Sequence, residues 1–178
     1  MRAAFLDRDG VINRKPPEGE YVRAWAEFEL LKGTAPAIRL LKEMGFLVLV
    51  VTNQRGVGKC VTRLDDLHTI HKNMIAEIEE AGGRIDSIYY CPDVDDTSPN
   101  RKPNPGMGLQ AIKDLPDIDV NKTIMIGNTL SDMQFGRNLG VQTIFLPTTR
   151  PEVDLKDERI DAVYDSLIAF ANDLKDQL

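Results

Sequence analysis

The sequence predicts an α/β fold with a doubly wound, mostly parallel sheet and helices on both faces. Two observations carry this prediction. Short apolar runs alternate along the chain with segments of helical periodicity, which is the pattern of repeated strand and helix units. One of these runs, FLVLVV at 46–51, is apolar without a break, as expected of a parallel strand that is covered on both faces.

The apolar runs predict five strands and one possible edge strand. Each run is short and is followed by polar or turn-forming residues, as is typical of strands in such a sheet. The strands are predicted at 2–6, 46–51, 85–90, 122–126 and 141–146, with the possible edge strand near 160–163.

Five helices are predicted between and after these strands. Thr34 is expected to cap the first helix, and Gly45 to end it. Thr62 and Asp65 have the spacing of a capping box at the start of the second helix, and Gly82 follows its end. The helices are predicted at 34–44, 62–81, 106–114, 130–139 and 166–176.

The bulk composition predicts one domain over residues 1–178. The chain has 42% hydrophobic and 28% charged residues, which is ordinary for a globular protein with a full core. A net charge of -6 argues against binding to nucleic acid or to an anionic membrane. No apolar stretch is long enough to cross a bilayer, no signal peptide is recognisable, and two cysteines make no disulfide framework. We expect a cytoplasmic protein and, in the absence of a coiled-coil or edge-pairing signal, a monomer.

Polar residues follow several predicted strands, where ligands bind in sheets of this kind. The carboxyl ends of parallel strands meet at one edge of the sheet, so these side chains are expected to lie close together. They are Asp7, Arg8, Asp9 and Gly10 after the first strand, Thr52, Asn53, Gln54 and Arg55 after the second, Gly127 and Asn128 after the fourth, and Arg101 and Lys102 before a helix.

Asp7 and Asp9 are the first candidates for chemistry. Residues two apart in an extended segment point the same way, so the two carboxylates repel each other unless a cation lies between them. Oxygen ligands favour magnesium. One carboxylate could then attack a phosphoryl group while the other handles the proton. The alternative is a pair of solvated acids in a turn.

Thr52 and Lys102 are candidates for phosphate binding. A hydroxyl and free backbone N–H groups at a strand end can hold phosphate oxygens, and a lysine can clamp them. Ordinary turn chemistry for Thr52 and a solvated loop position for Lys102 remain the alternatives. Arg101 could bind a second anionic group, which suggests an anionic small molecule as ligand. A positive rim is expected from Arg8, Arg55 and Lys59.

Four segments, FLDRDGVIN, VVTNQRGVGKC, RKPNPGM and IGNTLSDM, resemble in this order the motifs of the haloacid dehalogenase (HAD) superfamily of phosphohydrolases. The resemblance covers about residues 3–147 and is strongest to the branch that acts on heptose bisphosphates and histidinol phosphate. It implies a HAD-like fold without a large cap domain. It also implies magnesium-dependent hydrolysis of a small sugar phosphate, foremost D-glycero-D-manno-heptose 1,7-bisphosphate, with histidinol phosphate as the alternative.

The resemblance also implies residue roles. Asp7 would be the nucleophile that forms an aspartyl-phosphate, and Asp9 would protonate the leaving group and then activate water. Thr52 and Lys102 would hold the transferring phosphoryl group. The rest of the substrate would be faced by Asn53, Gln54, Arg55 and Arg101.

Asn128 departs from the family pattern, which usually has a metal-binding aspartate there. An amide oxygen can still ligate magnesium, but it brings no charge, so the affinity should fall. Asp132, four residues later, could restore the charge directly or through a water. The predicted magnesium ligands are Asp7, Asp9, Asn128 and Asp132.

The segment CPDVDDTSPNRKP at 91–103 also departs from the family, whose loop usually carries cysteine and histidine ligands for zinc. Only Cys91 remains, and one cysteine cannot form a four-ligand site. We therefore expect no zinc and a buried, apolar Cys91. His68 and His71 are expected to be exposed helix residues. The insert at 13–21 could cover part of the mouth of the site.

Two functions of other classes stay open from the sequence. A signalling receiver domain also places acids, a threonine and a lysine at strand ends, but its acids are adjacent and its chain is shorter. A phosphate-binding protein that lost turnover through Asn128 is the second alternative.

Overall fold

The sheet of this protein lies at the centre of the fold. The computed structural model describes residues 1–177. Its strands are β1 (Ala3–Leu6), β2 (Leu47–Asn53), β3 (Ser87–Cys91), β4 (Ile124–Gly127), β5 (Gln142–Phe145) and β6 (Ala162–Val163). Their order is β3-β2-β1-β4-β5-β6, and each neighbouring pair runs parallel. The predicted doubly wound sheet is confirmed, and its predicted edge strand is β6.

The helices connect the strands as the sequence pattern predicts. They are α1 (Thr34–Glu43), α2 (Arg55–Gly58), α3 (Leu64–Glu80), α4 (Gly106–Asp114), α5 (Leu130–Leu139) and α6 (Leu167–Asp176). The sequence did not predict α2, because a single helical turn leaves no periodicity to detect. None of the described helices is long and apolar enough to cross a membrane.

The apolar core has two layers, one on each face of the sheet. Alternate residues of β1 supply both layers: Leu6 belongs to the layer covered by α1, α3 and α6, whereas Phe5 belongs to the layer covered by α4 and α5. The Phe5 ring meets the Phe135 ring of α5 edge-on, with 6.1 Å between their centroids. Helices therefore cover both faces, as predicted.

Two predicted helix caps are wrong. Gly33 is the N-cap of α1, and Thr34 instead donates its hydroxyl to the buried carbonyl of Ile12. Arg63 is the N-cap of α3 and makes no side-chain cap, because Thr62 is buried and its backbone N–H donates to the carbonyl of Gly56. A tertiary contact therefore uses the Thr34 hydroxyl that the pattern assigned to the helix, and a backbone contact holds Thr62 outside the cap position.

The strand order reverses next to β1, which pairs with β2 on one side and β4 on the other. Ligands bind at such a switch point, beyond the carboxyl ends of the strands. The residues that follow β1, β2 and β4 therefore share this edge of the sheet.

Candidate active site

Lys102 forms a buried salt bridge with two acids at the carboxyl edge of the sheet. Its Nζ lies 2.8 Å from Asp7 Oδ1 and 2.7 Å from Asp132 Oδ1. Asp7 directly follows β1, and its backbone N–H donates to Ile126 of β4. The three side chains are almost completely enclosed by protein, so the charges interact more strongly than they would in water.

Burial and the charge of Asp132 raise the pKa of Asp7 to about 7, although Lys102 opposes this shift. Burial alone would lower the pKa of Lys102, but the charges of Asp132 and Asp7 outweigh it and raise that pKa. Lys102 is therefore charged at neutral pH, and it stabilises the ionised form of Asp7, which is the nucleophilic form.

The Asp9 carboxylate is oriented by three neighbouring side chains. Arg8 Nη2 donates to Oδ1 over 3.0 Å, Asn13 Nδ2 donates to the same oxygen over 3.0 Å, and Gln54 Nε2 donates to Oδ2 over 3.0 Å. Burial alone would raise the pKa of Asp9, but Arg8 and these hydrogen bonds lower it. Asp9 is therefore ionised and fixed in orientation.

Arg8 and His71 lie beneath the site, and both depart from the sequence prediction. Arg8 is completely buried rather than part of a positive rim, because it bonds to the Asp9 carboxylate. His71 is 7% exposed rather than a surface residue, and its Nε2 lies 3.2 Å from Arg8 Nη1. Burial, followed by the charge of Arg8, lowers the pKa of His71 to about 3, so a neutral imidazole accepts from the guanidinium.

The two amides that follow β2 bond to other residues of the site. Asn53 makes a pair of hydrogen bonds with the backbone of Lys102, donating over 3.1 Å and accepting over 3.0 Å. Gln54 donates both to Asp9 and to the hydroxyl of Thr52, the latter over 2.9 Å. Through these hydrogen bonds, the two amides hold Lys102, Asp9 and Thr52 in place. Thr52 is completely buried at the end of β2.

Asp132 joins the start of α5 to the site. Its Oδ2 accepts from the backbone N–H groups of Asn128 and Thr129 and from the Thr129 hydroxyl, and Thr129 completes the capping box. Its Oδ1 accepts from Lys102. Both oxygens of Asp132 thus have protein partners, and its carboxylate is directed to Lys102 and the helix rather than to the Asp9 carboxylate.

Asn128 is completely buried between two backbone segments. One terminal atom of its side-chain amide lies 3.2 Å from Asp7 Oδ2 and 3.1 Å from the backbone oxygen of Asp9, and hydrogen bonding to these two acceptors favours the NH₂ group on this side. Gly10 makes room for this amide: its φ is +95°, and a Cβ there would lie 2.2 Å from Asn128 Nδ2. Asp7 Oδ2 and the Asp9 carbonyl oxygen converge at this point, and a half turn of the amide would add a third oxygen, a donor set that fits a hard cation such as magnesium.

The oxygens that converge near Asn128 differ in part from the predicted magnesium ligands. The backbone carbonyl of Asp9 faces this point, whereas the Asp9 carboxylate is turned to Arg8. Within residues 1–177, no cluster of three or more His, Cys, Asp and Glu side chains is arranged to hold a metal ion. A cation here would therefore be held by one carboxylate with carbonyl and amide oxygens.

A pocket of about 690 Å³ opens above these residues. Asp7, Asp9 and Lys102 lie on its floor, and the segment 15–22 and Arg150 form part of its wall. The insert that was expected to cover part of the mouth thus lines this pocket. The volume is in the range of small-molecule sites.

Arg55 and Arg101 line the same pocket, and both donate to the exposed carboxylate of Asp96. Arg55 also donates to the backbone carbonyl of Val94. Each arginine keeps one buried N–H group without a protein partner, at Nε of Arg55 and Nη1 of Arg101. Because both arginines line the pocket, they place two positive charges where a second anion could bind. Lys59 lies instead over the ring of Tyr21.

The loop between β3 and α4 is held by hydrogen bonds. Asp95 accepts from the backbone and hydroxyl of Thr97, and Ser98 donates to Asp93. Cys91 is completely buried, as predicted, and its Sγ lies 4.0 Å from Ser98 Oγ. Polar side chains within the loop thus form its internal contacts.

Comparison with known proteins identifies the family of this chain. The HAD-hydrolase-like family model matches residues 99–170. A D-glycero-alpha-D-manno-heptose-1,7-bisphosphate 7-phosphatase of Mycobacterium bovis is 35% identical over 168 residues, which cover 94% of this chain and 88% of that protein. A D-glycero-beta-D-manno-heptose-1,7-bisphosphate 7-phosphatase of Pasteurella multocida is 33% identical over 174 residues, which cover 93% of this chain and 92% of that protein.

A solved structure agrees over the whole chain. The crystal structure of D,D-heptose 1,7-bisphosphate phosphatase from B. bronchiseptica, complexed with magnesium and phosphate, superimposes with a TM-score of 0.90. It is 29% identical and covers 100% of both chains. The described residues of the present structure form no large cap domain above the sheet, as expected. The chain belongs to the HAD-like hydrolases, in the branch that contains the heptose bisphosphate phosphatases.

Proposed function

We propose that this protein is a magnesium-dependent phosphatase that removes the 7-phosphate of D-glycero-D-manno-heptose 1,7-bisphosphate. The observation that carries the proposal is Asp7 at the end of β1, paired with Lys102 over 2.8 Å and followed by the oriented carboxylate of Asp9. The names of the relatives in M. bovis and P. multocida support the substrate. One name specifies the alpha anomer and the other the beta anomer.

Asp7 is the proposed nucleophile. Its carboxylate oxygen forms a bond to phosphorus while the bond from phosphorus to the sugar oxygen breaks, which leaves an aspartyl-phosphate and an alkoxide. Asp9 gives a proton to that alkoxide. In the second half of the reaction, Asp9 takes a proton from water, whose oxygen attacks phosphorus and releases inorganic phosphate and free Asp7.

In the proposed first step, the proton arrives with the substrate. Arg8, Asn13 and Gln54 favour the ionised form of Asp9, so Asp9 is a poor proton reservoir before substrate binds. A phosphate ester has its second pKa at about 6, and its singly ionised form can transfer its proton to Asp9. The same bonds keep Asp9 ionised, which is the form required of the base in the hydrolysis of the aspartyl-phosphate.

Lys102 and Thr52 are proposed to hold the transferring phosphoryl group. Lys102 lines the pocket and carries the charge that the developing oxyanions require, and Thr52 lies at the end of β2, where its hydroxyl accepts from Gln54 of the pocket wall. Asn53 and Gln54 reach the substrate less directly: their amides position Lys102, Asp9 and Thr52. Arg55 and Arg101 are the proposed contacts for the second phosphate, because both line the pocket and carry positive charge.

Magnesium, when bound, neutralises charge on the phosphoryl group and on Asp7 and so favours attack. Asp7 Oδ2, the backbone oxygen of Asp9 and Asn128 Oδ1 are the proposed ligands. We place Asp132 outside this set, as the residue that holds Lys102, because both of its oxygens already accept hydrogen bonds. We further propose that the enzyme acts in the cytoplasm as a monomer.

A substrate panel tests this function. Phosphate release is measured with heptose 1,7-bisphosphate, histidinol phosphate and a generic aryl phosphate, with and without magnesium. The proposal predicts that heptose bisphosphate has the highest kcat/KM and that turnover requires magnesium. A higher kcat/KM for histidinol phosphate would replace the substrate but keep the chemistry. Binding of phosphate esters without steady hydrolysis would contradict both and would favour a phosphate-binding or receiver-like role.

A further inference from the structure

The buried amide of Asn128 has oxygen acceptors on both sides. On one side, one of its terminal atoms lies 3.2 Å from Asp7 Oδ2 and 3.1 Å from the backbone oxygen of Asp9. On the other side, its second terminal atom lies 2.6 Å from Thr149 Oγ1. The backbone N–H of Asn128 is fixed by Asp132 over 3.1 Å, so the backbone cannot follow a change in the side chain.

The amide can occupy this space in two orientations related by a half turn. With oxygen towards Asp7, the NH₂ group donates to Thr149 and three oxygens converge as cation ligands. With nitrogen towards Asp7, the NH₂ group donates to Asp7 Oδ2 and to the Asp9 carbonyl, and the amide oxygen accepts from Thr149. A hydroxyl both donates and accepts, so Thr149 supports either orientation.

We propose that Asn128 is a reversible substitute for the cation. When magnesium is bound, Asn128 Oδ1 ligates it. When magnesium leaves, the amide turns by 180° and its NH₂ group takes the place of the cation between Asp7 and Asp9. The proposal rests on the proposed function, in which this point takes magnesium.

An ionised aspartate at position 128 could ligate magnesium, but it could not donate hydrogen bonds to Asp7 and Asp9 when magnesium is absent. Two carboxylates and a carbonyl within about 3 Å of one another repel when no cation or proton lies between them. The asparagine relieves that repulsion in the metal-free protein through two hydrogen bonds. Magnesium must displace those bonds, and the amide brings it no charge in return. We therefore expect weaker magnesium binding than with a carboxylate, together with a metal-free protein that keeps its site ordered.

The test compares Asn128→Asp with the natural protein by calorimetric titration of magnesium and by thermal unfolding with and without magnesium. Asn121→Asp is the matched control. It adds the same charge at an exposed position that precedes β4, near the amino ends of the strands and away from the site. We expect Asn128→Asp to bind magnesium with a Kd lower by about 10-fold or more. Its metal-free Tm should fall below that of the natural protein, and its rise in Tm with magnesium should be larger.

A second measurement needs no destabilised variant. The side-chain NH₂ resonances of Asn128, assigned by their loss in Asn128→Asp, are followed in the natural protein during a magnesium titration. A hydrogen-bond partner that changes from carboxylate to hydroxyl should move these resonances at the magnesium concentration at which heat is released. Resonances that stay fixed while magnesium binds would overturn the proposed rotation.

The two hypotheses can fail separately. If both proteins bind magnesium and hydrolyse phosphate esters, but the metal-free Tm of Asn128→Asp equals that of the natural protein, only the proposal that the Asn128 amide replaces the cation is contradicted. If neither protein binds magnesium, both the proposed replacement of the cation by the amide and the proposed magnesium-dependent function are contradicted. If Asn121→Asp changes the Kd for magnesium and the Tm as much as Asn128→Asp does, the effect is due to net charge. That result would likewise overturn the proposed replacement of the cation by the amide.

Discussion

Asp132 Oδ1 lies 2.7 Å from Lys102 Nζ, inside the protein and beneath the proposed phosphoryl site. Since Lys102 also contacts Asp7 over 2.8 Å, one ammonium group links the proposed nucleophile to the start of α5. The position of that helix thus controls where the positive charge lies relative to Asp7.

Asp132→Asn should therefore weaken both stability and catalysis. The substitution leaves Lys102 with one carboxylate and replaces an acceptor at Oδ1 or Oδ2 by an NH₂ donor. We expect the free energy of unfolding to fall by about 2 kcal/mol and kcat to fall by at least about 10-fold. Urea unfolding and steady-state phosphate release measure the two effects. Glu80→Gln, which removes an exposed charge, is the control. An unchanged kcat would show that Lys102 needs Asp7 alone.

Asp96→Asn should improve binding of a doubly phosphorylated substrate. The exposed Asp96 carboxylate accepts from both Arg55 and Arg101 and so competes with a substrate anion for their donors. We expect KM for heptose bisphosphate to fall about 3-fold, as suits an exposed ion pair, and KM for an aryl phosphate to stay unchanged. A rise in KM would mean that Asp96 acts mainly by holding the loop between β3 and α4.

The buried His71 should make the protein less stable in mild acid. Its pKa is lowered from an ordinary value near 6.5 to about 3, so the unfolded chain binds a proton at this residue more readily than the folded one. The stability is therefore complete above about pH 6.5 and is lost as the pH falls towards 3. Between pH 7 and pH 5 the expected loss is about 2 kcal/mol.

The measurement for His71 is urea unfolding at pH 7 and pH 5, in the natural protein and in His71→Gln. Glutamine can accept from Arg8 but does not titrate, so its loss of stability between the two pH values should be smaller by about 2 kcal/mol. Equal losses in the two proteins would show that other groups produce the acid sensitivity.

Elemental analysis of the purified protein should find no stoichiometric zinc. Cys91 is the one cysteine in the segment 91–103, and hydrogen bonds among Asp93, Asp95, Thr97 and Ser98 shape the loop. Cys91→Ala should accordingly keep the fold and cost about 1 kcal/mol through lost packing. Zinc at one equivalent, lost together with activity in Cys91→Ala, would contradict this view of the loop.

The sequence was sufficient for the sheet and for the set of residues around Asp7. Unbroken apolar runs such as 46–51 can pack only inside a covered sheet, and polar residues at the ends of parallel strands meet whatever the details of packing. Local caps were less predictable. Thr34 and Thr62 match the cap pattern, but Thr34 bonds to a distant carbonyl and Thr62 is packed against α2.

Residues beneath the site could not be placed from motif position alone. Arg8 lies between two site acids in the sequence, and only the fold shows that it turns inward to Asp9. His71 did carry a signal that was not used: Leu67, His71, Met74 and Ile78 recur at helical spacing and form the buried face of α3. A histidine on such an apolar stripe predicts burial.

Phosphate release from heptose 1,7-bisphosphate by Asp7→Asn, set beside Asp9→Asn and the natural protein, tests the proposed chemistry most directly. Asparagine preserves the size of Asp7 but cannot act as the nucleophile. We expect the natural protein to turn over steadily and Asp7→Asn to release no phosphate, neither in a first turnover nor afterwards, while circular dichroism shows an unchanged fold. Substantial turnover by Asp7→Asn would contradict the aspartyl-phosphate route.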